Sequence, residues 1–253
     1  MVSLGLEGAR AVVTGGTRGM GAATVRRLVD EGARVVAIAR NAAPVPAGVH
    51  LVTADLSTAD GVEAAAAAAL DHLGGLDVLI DNAGQNSPVP AGVLAADDED
   101  WRVNLDTNLL SVVRLDRILV PHLVAQGSGA VVHVSSGAAR SPQPNAIPYA
   151  AAKAALNAYS TGLATAVGPH GVRVTGVLPG IVENTESYAR AAADTGRTVE
   201  QIRADLLARL PVPLGRIGTP EEAAEVIVFQ ASPRASYLTG ILVPLDGGLL
   251  ASR

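Results

Sequence analysis

Short runs of consecutive apolar residues alternate with helix-length stretches almost from end to end of this 253-residue chain, and the alternation restricts the fold more than any other feature. Ala11-Val12-Val13, Val35-Val36-Ala37-Ile38, Val49-His50-Leu51-Val52 and Val78-Leu79-Ile80 read as strands, as do the runs 130–134, 172–177 and 241–243. Their apolar character is continuous rather than alternating, which is the pattern of strands covered on both faces, as in a parallel sheet. Between them the spacing predicts helices over about 20–31, 59–73, 99–126, 148–168 and 219–231. Strand, helix, strand at this rhythm gives βαβ units and a doubly wound α/β sheet of about seven strands. No linker or repeat divides the chain, so one domain over 1–253 is expected.

One interval breaks the rhythm. Residues 182–218 follow the sixth strand and carry a polar, helix-prone stretch, Thr198-Val199-Glu200-Gln201-Ile202-Arg203, between Gly196 and Pro211-Val212-Pro213. An insertion at the carboxyl end of such a strand lies where ligands bind. It reads as a substrate loop or lid, with a plain surface excursion as the alternative.

Composition narrows the partners. The net charge is −5, no basic stripe is present, and there is no cysteine. Nucleic acid, anionic membrane, disulfides and thiolate metal sites are therefore not expected. No apolar run approaches the roughly 20 residues of a membrane span. The start, Met1-Val2-Ser3-Leu4-Gly5, has no basic n-region or apolar h-region, so a cytoplasmic protein is expected. The five histidines are scattered along the chain, and no His/Asp/Glu cluster suggests a metal. Of nineteen basic residues, eighteen are Arg and one is Lys153. Arg and Lys differ in geometry and hydration, so a lone lysine in an arginine-biased chain marks a place where the substitute fails.

Two constellations carry chemistry. Thr14-Gly15-Gly16-Thr17-Arg18-Gly19-Met20-Gly21 follows the first strand and opens a helix. Its glycines permit a tight turn and close approach of a pyrophosphate, which then sits at a helix N-terminus. Tyr149 and Lys153 are i and i+4 on a helix and share a face. A phenol titrates near 10, and a neighbouring ammonium is expected to lower that value toward use as an acid/base group. The second strand ends in Ala39-Arg40, where an NAD site would carry an acidic residue, and Arg18 lies in the Gly-rich turn. Two guanidiniums near one phosphate favour NADP(H), with NAD(H) less expected.

The spacing T-G-x-x-x-G-x-G resembles the short-chain dehydrogenase/reductase family, and the remaining motifs follow in order. They are Asp55-Leu56 after the third strand, Asn82-Ala83-Gly84 after the fourth, Asn108, then Ser136 and Tyr149-Ala150-Ala151-Ala152-Lys153, and Pro179-Gly180 after the sixth. Gly215-Arg216, Pro220-Glu221-Glu222-Ala223, Thr239-Gly240 and Asp246-Gly247-Gly248 complete the set. The chain looks most like the 3-oxoacyl-carrier-protein reductase branch. Asp81, where the family usually has Asn, reads as a structural swap.

The resemblance implies a Rossmann-type fold and an NADP(H)-dependent reductase of a ketone, of 3-oxoacyl or secondary-metabolite type, or the reverse alcohol dehydrogenase. It implies that Tyr149 delivers the proton, Lys153 tunes it, Ser136 polarises the carbonyl and Asn108 holds a water of the proton relay. Ser135 is the alternative serine, but should point the other way on its strand. Expected cofactor contacts are Gly15, Thr17, Arg18, Gly19, Met20, Gly21, Arg40, Asp55, Leu56, Asn82, Ala83, Gly84, Tyr149, Lys153, Pro179, Gly180, Val182 and Asn184, with Thr185 as the alternative to Asn184. Expected substrate contacts are Ser136, Ala138, Arg140, Gln143, Tyr149 and Tyr188. A homotetramer is the implied assembly. The alternative function is a non-catalytic NADP(H)-binding sensor on the same fold.

Overall fold

The computed structural model describes residues 3–183 and 185–251. Its centre is a seven-stranded sheet, every neighbouring pair parallel, in the order β3-β2-β1-β4-β5-β6-β7. The strands are β1 (Arg10–Thr14), β2 (Arg34–Ala39), β3 (His50–Thr53), β4 (Val78–Asp81), β5 (Gly129–Val134), β6 (Val172–Pro179) and β7 (Leu242–Leu245). Each overlaps one of the apolar runs. Continuous apolar runs were the right signal because both faces are covered: Val12, Leu79 and Val131 pack on one side, Val13, Ile80 and Val132 on the other.

The helices are α1 (Gly19–Asp30), α2 (Ala59–Leu73), α3 (Asp98–Leu105), α4 (Ser111–Gln126), α5 (Ile147–Val167), α6 (Thr185–Thr195), α7 (Val199–Arg209) and α8 (Pro220–Ala231). α1 and α8 supply Leu28 and Ile227 to one layer; α2, α4 and α5 supply Leu73, Leu119 and Ala164 to the other. Leu28, Leu119 and Ile227 are each completely buried. Side chains of this size contribute about 1.5–3 kcal/mol each on burial. α2 keeps its expected bounds because Thr58 accepts from the amide of Gly61 at one end and Gly74 turns left-handed at the other.

The helix expected over 99–126 is not one α-helix. Asp97 and Asp100 form a capping box that starts α3, and a wide π turn at Asp106–Leu110 separates α3 from α4. π turns of this kind concentrate at functional sites, and this one contains Asn108.

The 182–218 interval, which broke the sequence rhythm, folds as α6 and α7 packed against one another. Thr198 and Gln201 form the capping box that starts α7. The base of the excursion is closed, because Val182 bridges Gly218, Glu183 N donates to Gly218 O and Gly218 N to Ile181 O. No helix among the described residues is long and apolar enough to cross a membrane.

Candidate active site

Strand order reverses between β1 and β4, and ligands in such sheets bind outside the carboxyl ends at that point. The turn after β1 is clamped from β4. Asn82 Nδ2 donates to the carbonyls of Thr14 (2.9 Å) and Gly15 (3.3 Å), while Thr14 Oγ1 accepts from the amides of Asn82 and Ala83 at 2.9 Å each. Gly15 is left-handed, φ +65°, and a Cβ on Gly21 would overlap the Gly15 carbonyl, so neither position accepts another residue without displacement. The N-cap residue of α1, Arg18, offers no side-chain acceptor, and no acidic residue stands in the first turn. The amides there are presented as an anion site. Thr17 and Met20 are half-buried, Arg18 and Gly19 exposed.

Arg40 is exposed and donates to Gln85 Oε1 at 2.7 Å, a contact that sequence reasoning missed. Asp55 accepts from the amide and hydroxyl of Ser57 at 3.0 and 2.8 Å, bonds that lower its pKa, with Arg40 adding to the effect. Its neighbour Leu56 is buried.

The last residue of β5, Val134, is followed by two serines that part ways. Ser135 is buried, and its hydroxyl donates to the Lys153 carbonyl at 3.2 Å, tying strand to α5. Ser136 points the other way, accepts from the Ala138 amide at 3.1 Å and stands near enough to the Tyr149 hydroxyl to affect its titration. Pro148 starts α5 where a missing N–H costs nothing. One turn on, Lys153 is 2% exposed and its Nζ donates to the Val134 carbonyl at 2.9 Å.

One expectation needs correction here. The Tyr149 phenol is not pulled down by Lys153: burial pushes it up, and Ser136 works against that. Lys153 is itself pushed down to about 8, by burial, with the charge of Asp81 acting the other way. Both amide protons of the Asn108 side chain are used within the chain. Asn108 Nδ2 donates to the carbonyls of Gln85 (2.8 Å) and Asn104 (3.0 Å), and Oδ1 accepts from the Gln85 amide at 3.0 Å. Asn108 thus fixes the segment after Gly84 against the π turn. A Cβ on Gly84 would stand 2.9 Å from Asn108 Oδ1 and 3.1 Å from Lys153 Nζ, so the glycine is what lets the three meet.

A cleft of about 440 Å³ opens beside Ser136. Ala138 and Gln143, expected substrate contacts, line it beside Pro179 and Gly180, expected at the cofactor, joined by Asp246, Leu249 and Leu250 from the C-terminal segment and Leu210 after α7. Asp246 is spent on the amides of Gly248 and Leu250. A second hollow beside it includes Val182. Three of the expected substrate residues, Arg140, Tyr149 and Tyr188, are not in the cleft wall. Arg140 is exposed, and Tyr188 lies under the Arg203 guanidinium, 5.9 Å from its ring centre. Asn184 lies outside the described residues, as does the side chain of Thr185.

The expectation that no His/Asp/Glu cluster exists is overturned. Asp81, Asp116 and His133 are at most 1% exposed, and one ligand-type atom from each lies within 4.8 Å of the others. The only sequence signal was Asp81 itself, standing where the family usually has Asn. The rest comes from β4 pairing Asp81 with His133 and from α4 lowering Asp116 onto the pair.

The family model described as short chain dehydrogenase matches residues 9–196. The short-chain reductase protein NovJ of Streptomyces niveus is 37% identical over 250 residues, covering 94% of this chain and 92% of the relative. The 3-oxoacyl-[acyl-carrier-protein] reductase FabG of Thermotoga maritima is 31% identical over 255 residues, covering 97% and 99%. Among solved structures, L-sorbose reductase from Gluconobacter frateurii, complexed with NADPH and L-sorbose, superposes with a TM-score of 0.90 at 31% identity, covering 98% of this chain and 99% of that one.

Proposed function

The chain belongs to the short-chain dehydrogenase/reductase family, and from that premise we propose that it is an NADP(H)-dependent reductase of ketones, of 3-oxoacyl or secondary-metabolite type, able to run in reverse on the secondary alcohol. Its membership makes it an oxidoreductase acting on CH–OH and C=O groups. The observation that carries the finer reading is that Ser136, in the wall of the cleft, stands near enough to the Tyr149 hydroxyl to draw its pKa down, with Tyr149 one helical turn from buried Lys153.

The residues present suit a dinucleotide. The uncapped start of α1 and the turn at Gly15 offer amides to a pyrophosphate. At the far end β2 finishes in Ala39-Arg40 with no carboxylate to repel a 2′-phosphate. Arg40, exposed and hydrogen-bonded to a neutral amide, is placed to exchange Gln85 for that phosphate. When bound, the dinucleotide supplies or accepts the hydride. The chain does the rest. Ser136 donates to the substrate oxygen as charge develops there. Tyr149 hands over its hydroxyl proton, and Lys153 holds positive charge close behind it. Pro179, Ile181, Leu210, Leu249 and Leu250 make the cleft largely apolar, which favours a ketone with hydrocarbon substituents. Leu210 belongs to the 182–218 excursion, which supports reading α6 and α7 as the lid. Exposed Leu110, Phe229 and Ile241 support assembly as a homotetramer.

The test is oxidation of NADPH and NADH with ethyl acetoacetate and a panel of ketones. Wild type turns over, preferring NADPH, and Tyr149→Phe loses roughly 10²-fold or more. Arg40→Ala raises KM for NADPH by about tenfold and leaves that for NADH nearly unchanged, as befits one charge-assisted contact. Turnover that survives in Tyr149→Phe refutes the acid assignment. A chain that binds NADPH but turns over no ketone is a sensor.

A further inference from the structure

The buried cluster behind the site is made by topology. Asp81 ends β4 and pairs in register with His133 on β5. Both side chains face the layer of α4 and α5. There His133 Nε2 lies 3.1 Å from Asp116 Oδ2 and 3.9 Å from Asp81 Oδ2. Tyr159 on α5 completes the group: its ring centre is 5.9 Å from that of His133, and the charge of Asp116 helps burial to raise its phenol. The residue after His133 is Val134, whose carbonyl holds Lys153 Nζ. Immediately after Asp81 come Asn82, which clamps the Gly-rich turn, and Gly84, against which Lys153 rests.

Two features separate this cluster from an inert core pair. Asp81 and Asp116 bring carboxylate oxygens within 4.8 Å of each other in a buried site, where two like charges so close disfavour ionising both and one proton is retained by the pair. In addition, Asp81 Oδ2, Asp116 Oδ1 and His133 Nδ1 are buried with no hydrogen-bond partner, so the group is under-satisfied at three atoms. Burial pushes the Asp81 carboxyl well above the ordinary carboxylate range, Asp116 pushes it further, and the charge of Lys153 draws it back. The same interaction raises the lysine against the burial that lowers it.

We propose that Asp81 is a positioning residue for the catalytic lysine: the proton shared by Asp81 and Asp116 moves between them, and where it rests sets the charge that Lys153 feels from behind the site. With the proton on Asp116, Asp81 is an anion and Lys153 is held as the ammonium. With the proton on Asp81, that support is gone and Lys153 releases its own proton more readily. No proton leaves the cluster in the exchange, and the two titrations are coupled. The groups facing this region are Asp81 on β4, His133 on β5, Asp116 and Arg117 on α4, and Tyr149, Lys153 and Tyr159 on α5. Arg117 acts on the Tyr159 end. The functional meaning rests on the proposed reading of Lys153; the charge coupling itself does not.

Because Lys153 is the only lysine, a protein grown with 13Cε-labelled lysine shows one lysine side-chain signal, and its titration is read directly without turnover. The expected midpoint for wild type is near 8. Asp81→Asn removes the anion at constant volume and moves the midpoint down by about a unit or more. Asp116→Asn frees Asp81 from its like-charged neighbour, lets it ionise, and moves the midpoint up. Tyr159→Phe, which removes the hydroxyl that interacts with Asp116, moves it up by less. The alkaline limb of kcat against pH follows the same three shifts. Opposite signs from the two aspartates support the proposal, since loosened packing would shift both the same way. Shifts of one sign, or none, overturn it. If Asp81→Asn does not fold, an upward shift in Asp116→Asn and Tyr159→Phe sustains the proposal and its absence overturns it. Survival of turnover in Tyr149→Phe would instead remove the functional reading and leave this titration untouched.

Discussion

The single lysine of the chain is 2% exposed, and its ammonium meets the Val134 carbonyl and the face of Gly84. A guanidinium is planar, wider and always charged, with donors arranged as a fork. It cannot match one carbonyl at 2.9 Å in a space where even a methyl group on Gly84 would press against Lys153 Nζ. Lys153→Arg, the mildest change of charge type, is therefore expected to lose roughly 10²-fold or more in kcat/KM, measured on the ketone that wild type reduces best. Its far-UV circular dichroism should match wild type, because the sheet and its two layers do not depend on this contact. Wild-type kcat/KM in the variant would show that any cation suffices. At this scale the sequence was most informative where a residue type is rare, as with the lone lysine. It misled over Tyr149, because spacing on a helix shows that two side chains share a face but not how deeply the phenol is buried or which acceptor the ammonium chooses.

At the scale of elements, legibility followed the length and local punctuation of each segment. α2 was readable over 59–73 because Thr58 and Gly74 mark its ends within the sequence. α7 could be anticipated from Thr198 and Gln201, which mark its start within the sequence. The π turn at Asp106–Leu110 leaves the apolar stripe of 99–126 nearly unbroken, so periodicity alone could not find it. The Asp81–Asp116–His133 cluster is a product of strand register, which no local pattern encodes. Register also matters for the 182–218 excursion, whose ends are pinned by the Val182–Gly218 bridge and by the bonds Glu183 N to Gly218 O and Gly218 N to Ile181 O. Replacing residues 185–209 with a short Gly-Ser turn should leave that closure, and the sheet beneath it, in place. Loop-closure entropy changes only slowly with length, so Tm is expected to move by no more than a few degrees. Meanwhile kcat/KM for ketones should fall at least tenfold as the cleft loses its cover. Unchanged turnover by the shortened protein would assign α6 and α7 no part in substrate binding.

Across the whole molecule, charge is arranged differently at the two ends of the sheet. At the amino end Arg10 meets Asp77 through Nε and Nη2, both at 2.8 Å, and its guanidinium with Gln126 holds that carboxyl down to about 2. Such a pair contributes stability above the ordinary carboxylate range and loses it as pH falls toward 2. At the carboxyl end the sign is reversed. Lys153 is buried with its pKa down to about 8, whereas a solvated lysine titrates at 10.5. Between those values the unfolded chain holds a proton that the folded one does not, so stability rises with pH across that window. Below it the full cost is present, about 3 kcal/mol at 1.36 kcal/mol per pKa unit. Replacing Lys153 with Met keeps the chain length and removes that cost, while stranding the Val134 carbonyl returns about 1 kcal/mol of it. Lys153→Met is thus expected to be inactive yet more stable than wild type at pH 7, by about 1–2 kcal/mol or a few degrees in Tm. The difference should shrink steadily between pH 8 and 10.5 as wild type sheds its buried charge. The raised tyrosines Tyr149 and Tyr159 act in both proteins alike and drop out of the comparison. Thermal melts of the pair at half-unit intervals of pH measure the gap. A gap that is absent at pH 7, or that does not close on the alkaline side, would mean that the lysine is not held against its own burial.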